Sequence, residues 1–167
     1  MSSDALWQRS YAAGLQYAWT LQVGRTKLGC MALRPLSLQE IAEVVDVVAT
    51  RSGLPLAAVY LFGSFARGSA GPRSDIDLGV LYADPPGGRL QDQPFLLEAD
   101  LSEALGRPVQ CVVMNRAPAD LVHRILRDQH LLLDLQPSSR VRFEVAARNR
   151  YFDLKPFLTR YRAARVA

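Results

Sequence analysis

One block constrains this chain more than any other: residues 61–82, LFGSFARGSAGPRSDIDLGVLY. A β-rich apolar run, AAVYLF at 57–62, stops at Gly63-Ser64. Ten residues follow, Phe65 to Ser74, and then a second apolar run opens with Asp75 and Asp77. Alternation along 75–82 places Ile76, Leu78 and Val80 on one face and Asp75, Asp77 and Gly79 on the other. SFARGSAG reads as a short helical turn that leads into a loop at Gly71-Pro72. The block is therefore strand, turn, loop, strand. It demands a sheet with one apolar face and a pair of carboxylates presented on the other.

The rest of the chain supplies what packs on that sheet. Ser37 with Glu40 three residues on predicts a capping box and a helix closed by Gly53. Residues 92–106 predict an amphipathic helix with Leu96, Leu97, Leu101 and Leu105 at helical spacing. A strand is expected over 108–114 and a helix over 117–130, followed by the short apolar run LLLDL. A long helix is expected from about Ser139, broken near Pro156. This order implies one domain, 31–167, an α+β or α/β layer with a small, partly antiparallel sheet. Residues 1–30 read as an N-terminal extension: an extra helix, a disordered arm or a mis-assigned start. Its Trp7, Tyr11, Tyr17 and Trp19 suit either an interaction surface or packing on the core.

Composition narrows the classes. Hydrophobic residues make up 49% and charged residues 22%, as in a globular domain. No apolar run approaches the ~18 residues of a membrane span, and no signal-peptide pattern opens the chain, so a cytoplasmic protein with no membrane partner is expected. Cys30 and Cys111 have neither disulfide nor zinc spacing, and Cys111 reads as a buried free thiol. The net charge is +4, yet the chain from Ser138 onward holds eight basic residues and two acids. That asymmetry suits an acidic partner or a solvated arginine-rich helix face.

Two carboxylates at i and i+2 on a strand converge on one hard cation. Mg²⁺ typically takes one or two carboxylates together with substrate phosphates. Gly63 lets the backbone approach a phosphate closely, and the N–H groups of the turn with the Ser64 hydroxyl can hold the anion. Together these residues describe a metal-bound triphosphate site.

The same block resembles the G-S-x10-D-x-D signature of the polymerase β-like nucleotidyltransferases in their minimal, single-domain form. Arg67-Gly68 and Ser74 also match the fuller pattern GSxARGxxxxxSDIDL. The resemblance runs from about residue 37 to 165. It is strongest to the minimal nucleotidyltransferases of MntA type, the antitoxins of HEPN–MNT toxin–antitoxin pairs. The tail ARNRYFDLKPFLTRYRAAR is similar to the helix with which those antitoxins end.

The resemblance implies an α+β polymerase β-like nucleotidyltransferase fold, a small mixed sheet flanked by helices, and an AMPylation reaction. AMP passes from ATP to a tyrosine hydroxyl of a partner HEPN-domain ribonuclease toxin, with Mg²⁺ as cofactor and ATP as substrate. It assigns Asp75 and Asp77 as catalytic and metal-binding, and Gly63, Ser64, Arg67 and Ser74 as nucleotide-binding. Arg67 either touches phosphate or braces the loop against an acid. The partners implied are the HEPN toxin and a nucleotide triphosphate. Direct nucleic-acid binding is not expected, although Tyr151 and Phe152 interleave with the basic tail. Arg124 and His130 match the R-x4–6-H spacing of the toxins themselves, a pattern short enough to arise by chance.

One departure matters. The family adds a third carboxylate in a stretch like GRxVDLVDL. Here residues 106–114 read GRPVQCVVM, so Gln110 stands where the aspartate is expected and Val113 where the later acid is. An amide oxygen ligates a metal weakly and cannot serve as a base. Either the site transfers AMP with help from elsewhere, such as Asp100 or a base of the partner, or the chain neutralises its partner by binding alone.

Overall fold

Ser37 starts the first described element. Its hydroxyl accepts from the Glu40 N–H at 3.2 Å, and the Glu40 carboxylate accepts from the Ser37 N–H at 2.9 Å. This is the reciprocal capping box that the spacing predicts. The computed structural model describes residues 36–84, 87 and 94–166. The expected N-terminal extension, with its aromatic residues and Cys30, lies outside the described residues.

Helix α1 (Leu38–Arg51) leads into β1 (Leu56–Phe62), the four-residue helix α2 (Gly63–Ala66) and β2 (Ile76–Tyr82). Helix α3 (Phe95–Leu105), β3 (Val109–Val113), helix α4 (Ala119–Arg127), β4 (His130–Asp134) and helix α5 (Pro137–Val166) complete the chain. The sheet order is β3-β2-β1-β4. β1 runs antiparallel to both β2 and β4, and β2 runs parallel to β3. The fold is the expected α+β arrangement of a small mixed sheet flanked by helices.

Period-2 alternation sorts the core into two clusters. Val59, Leu61, Ile76, Leu78 and Val80 pack with Ile41 and Val45 of α1 and Leu97 and Leu101 of α3. Ala58, Tyr60 and Leu81 pack with Val122 and Ile125 of α4 and Ala147 of α5. Gly79 belongs to this second face. A Cβ on it would stand 2.9 Å from Met114 Sδ and 3.3 Å from Ile125 Cγ2, so glycine lets α4 approach the sheet.

Four expectations change. The run after α4 is a strand, because β1 has a free edge on that side and Leu131–Leu133 satisfy it. Helix α4 accordingly ends at Arg127, and His130 opens β4 rather than ending a helix. Leu96 lies on the solvent side of α3, 80% exposed, because it sits one residue off the buried stripe of Leu97, Leu101 and Leu105. Helix α5 starts at Pro137 and runs through Pro156 without a break. Phe152 and Phe157 around that proline are exposed, so water can serve the carbonyl that the missing N–H leaves.

Two polar devices hold the layers. The Glu98 carboxylate accepts from the Cys111 N–H at 2.7 Å, and Ser102 Oγ accepts from the Val109 N–H at 3.0 Å, so α3 closes the outer edge of β3. Burial, and then Glu98, push the Cys111 thiol up to about 12, which makes it an unreactive core group. On the other face, Tyr60 donates to Glu144 at 3.0 Å, and Arg140 bridges Glu144 and Asp134, each at 3.0 Å. Burial, followed by Glu144, holds the Tyr60 phenol well above its usual range. Tyr60→Phe leaves Glu144 still paired with Arg140, so the expected loss is about 1–2 kcal/mol in a urea melt, with the fold retained.

Candidate active site

The register of the sheet builds the site. Phe62, Asp77 and Gln110 are Cα partners across β1, β2 and β3, so they form one row on the second face. The next residue inward from Asp77 on that face is Gly79, covered by Met114 and Ile125. The carboxylates therefore stand where the cover from α4 ends. Asp77 is half-buried, and Asp75 lies one residue before β2 begins.

Gly63 fits this row closely. Its φ of 73° lies in the left-handed region, and the Asp77 carboxylate rests against its α-carbon. A Cβ at 63 would overlap Asp77 Oδ2 and stand 2.9 Å from Cγ. The Gly-Ser turn and the carboxylate pair thus share one corner. Ser64 uses its carbonyl to accept from the Ser69 N–H at 2.9 Å, which folds the loop back on the turn. His130 Nε2 lies 3.0 Å from the Ala66 carbonyl oxygen and ties the far end of the turn to β4.

The loop is held from beneath. Ser74 Oγ accepts from the Gly71 N–H at 2.8 Å, and the Ser74 N–H donates back to the Gly71 carbonyl at 3.1 Å. Arg107, 5% exposed, donates to the Pro72 carbonyl at 2.9 Å and lies over the Phe65 ring at 5.6 Å. Sequence reasoning missed Arg107 as a positioning residue, because its partners are backbone carbonyls 35 residues away. The signal available was the buried guanidinium position in GRPVQ, directly before β3. A hollow of about 340 Å³ beside this brace is lined by loop residues and Arg107 and holds neither carboxylate.

Gln110 faces the pair. Its Nε2 donates to Asp75 Oδ2 at 3.1 Å. Among the described residues no third acid, Asp100 included, joins Asp75 and Asp77 in a cluster that could hold a metal. Two hard carboxylates with one neutral amide fit a cation that brings phosphate and water oxygens as its other ligands, which is the usual state of Mg²⁺. Arg67 is exposed at the end of α2 and acts on Asp77 through its charge, without an ion pair among the described residues.

Burial raises the Asp77 pKa, the Asp75 charge raises it further, and Arg67 partly offsets both. A cation needs the ionised form. Cation binding is therefore expected to fall away in acid at a higher pH than an ordinary carboxylate would give. Arg67→Gln moves that acid limb further up. Mn²⁺ affinity measured directly across pH, in wild type and in Arg67→Gln, checks both shifts.

His123 stacks on Tyr151 at 3.7 Å between centroids, with Phe152 edge-on at 6.1 Å, and so joins α4 to α5. Arg124 on α4 and His130 on β4 lie in different elements, and His130 is engaged by the turn.

The structure thus presents two carboxylates beside a Gly-Ser turn at one strand-turn-strand corner. The family model described as Polymerase beta, Nucleotidyltransferase matches residues 44–138, and the chain belongs to that family. No curated protein sequence matches it. Among solved structures, a chain of a toxin–antitoxin complex with AMP-PNP is similar at a TM-score of 0.66 and 24% identity, covering 75% of this chain and 98% of that one. A chain from tri-AMPylated Shewanella oneidensis HEPN toxin in complex with MNT antitoxin is similar at a TM-score of 0.62 and 22% identity, covering 77% and 98%. A chain of the MntA–HepT toxin–antitoxin gives a TM-score of 0.62 and 22% identity, covering 77% and 99%. At these identities the likeness is one of fold. Among the described residues no helix is long and apolar enough to cross a membrane.

Proposed function

We propose that this chain is an antitoxin-type adenylyltransferase that moves AMP from ATP to a tyrosine hydroxyl of a partner HEPN ribonuclease toxin. The observation that carries the reading is the shared corner, where the Asp77 carboxylate rests on the Gly63 α-carbon. Family membership supports nucleotidyl transfer. The toxin–antitoxin neighbours, one with AMP-PNP and one with AMPylated toxin, support the choice of nucleotide and acceptor.

Asp75 and Asp77 would hold Mg²⁺, which supplies neutralisation of the triphosphate charge. The Gly63-Ser64 turn offers backbone N–H groups and a hydroxyl to phosphate oxygens. Arg67 adds positive charge on the same side, and Ser74 with Arg107 keeps the loop in place. Most of the rate enhancement then comes from positioning and electrostatics. Gln110 orients Asp75 but cannot accept the proton of the attacking hydroxyl, which goes to water or to a base of the toxin.

A second reading, a binding-only antitoxin, is favoured by the Gln110 amide on Asp75, which occupies an oxygen that a metal would use. Growth of cells producing the toxin separates the two. The transferase reading expects rescue by wild-type protein and none by an Asp75→Asn/Asp77→Asn variant that still co-purifies with the toxin. Equal rescue by that variant establishes binding alone.

A further inference from the structure

The Gly63 turn has a second side. Between it and α4 lies a cavity of about 290 Å³, walled by Phe62, Gly63 and Arg67 from the turn, by Leu121, Arg124 and Arg127 from the helix, and by the Asp128 carboxylate at the helix end. Three guanidinium groups therefore border one small space. Arg127 is partly committed, with bonds of 2.7 and 2.6 Å to Asp128. Arg67 and Arg124 form no ion pair among the described residues. Three guanidinium groups against the one Asp128 carboxylate leave the lining net positive, and an anionic ligand would offset that excess. Arginine suits phosphate in particular, because its planar fork can donate two parallel hydrogen bonds.

Position narrows the ligand. Gly63 lines the cavity and also meets the Asp77 carboxylate, so the cavity and the carboxylate pair flank the same residue. We propose that Arg124, assisted by Arg127, receives the β- and γ-phosphates of the nucleotide and lets this chain tell a triphosphate from a monophosphate. The assignment rests on the transferase reading. In the transfer, the acceptor oxygen bonds to the α-phosphorus and the bond from that phosphorus to the bridging oxygen breaks. The electron pair stays with the departing pyrophosphate, beside Arg124, and the hydroxyl proton passes to water.

Binding of Mg-ATP, Mg-AMP and tripolyphosphate to the purified full chain tests this by calorimetry. Arg124→Gln is expected to weaken Mg-ATP and tripolyphosphate about tenfold or more while leaving Mg-AMP unchanged, and Arg124→Lys to restore part of the loss. Arg124 is exposed, so the melting temperature should not move. Unchanged Mg-ATP affinity in Arg124→Gln, or an equal loss for Mg-AMP, overturns the assignment. An Asp75→Asn/Asp77→Asn variant separates it from the transferase reading. If that variant loses Mg-ATP while Arg124→Gln keeps it, the nucleotide site stands and the cavity assignment falls. If tripolyphosphate binding depends on Arg124 while Mg-ATP binds no tighter and ignores both aspartates, the anion site stands and the transferase reading falls.

Discussion

Asp77→Asn is expected to lower AMP transfer by on the order of 10²–10³-fold or more, the scale seen when one preorganised electrostatic group is removed from a transfer site. The same exchange should leave the metal-free protein folded and slightly more stable at neutral pH. The sign follows from linkage. Burial and the Asp75 charge raise the folded pKa of Asp77 above its unfolded value. Between those two values the native state holds a proton that the unfolded chain has released, so stability falls as pH rises through that window. Asparagine carries no charge to bury, so the penalty disappears above the window. The carboxylate is partly open to water, which limits the gain to no more than about 1 kcal/mol. Loss of activity with equal or higher thermal stability is the paired result that marks a functional carboxylate. Loss of both would make Asp77 a structural group.

Gly63→Ala should damage the chain more broadly. An alanine held at a φ of 73° costs about 1–2 kcal/mol by itself. Its Cβ would also have to displace the Asp77 carboxylate, which sits against the glycine on a strand fixed by its neighbours. Together these effects predict a loss of about 2–4 kcal/mol. Cation-dependent ATP binding should vanish even where the fold survives. Gly68 separates the two contributions. Its φ is 66°, but a Cβ there meets nothing within 4 Å, so Gly68→Ala carries the backbone cost alone. Urea melts of both variants check the difference.

Much of this was legible in local pattern. The strand, turn, loop and strand of the Gly63-to-Asp77 block, the Ser37–Glu40 cap and, Leu96 excepted, the leucine stripe of α3 depend on residues close in the chain, and these formed as read. What escaped depends on distant partners. LLLDL becomes β4 only because β1 offers an open edge, which no local period reveals. Arg107 is defined by carbonyls of a loop far up the chain. The cationic cavity needs α4 to land beside the Gly63 turn, and that placement follows from strand order. The reading of Gln110 stood between these cases. Its place in GRPVQ drew notice, and the structure sets it opposite Asp77 with a bond to Asp75.

The measurement that bears most directly on the central claim follows one phosphate. The purified chain is mixed with the proposed HEPN toxin partner, Mg²⁺ and ATP labelled at either the α- or the γ-phosphate, and the intact toxin is then weighed and counted. A functional Asp75–Asp77 pair predicts AMP-sized mass gains on the toxin, label retained only from the α position, pyrophosphate released, and none of this with Asp75→Asn/Asp77→Asn. A toxin of unchanged mass, bound and silenced equally by wild type and variant, would contradict the account and leave a nucleotidyltransferase fold that acts by contact alone.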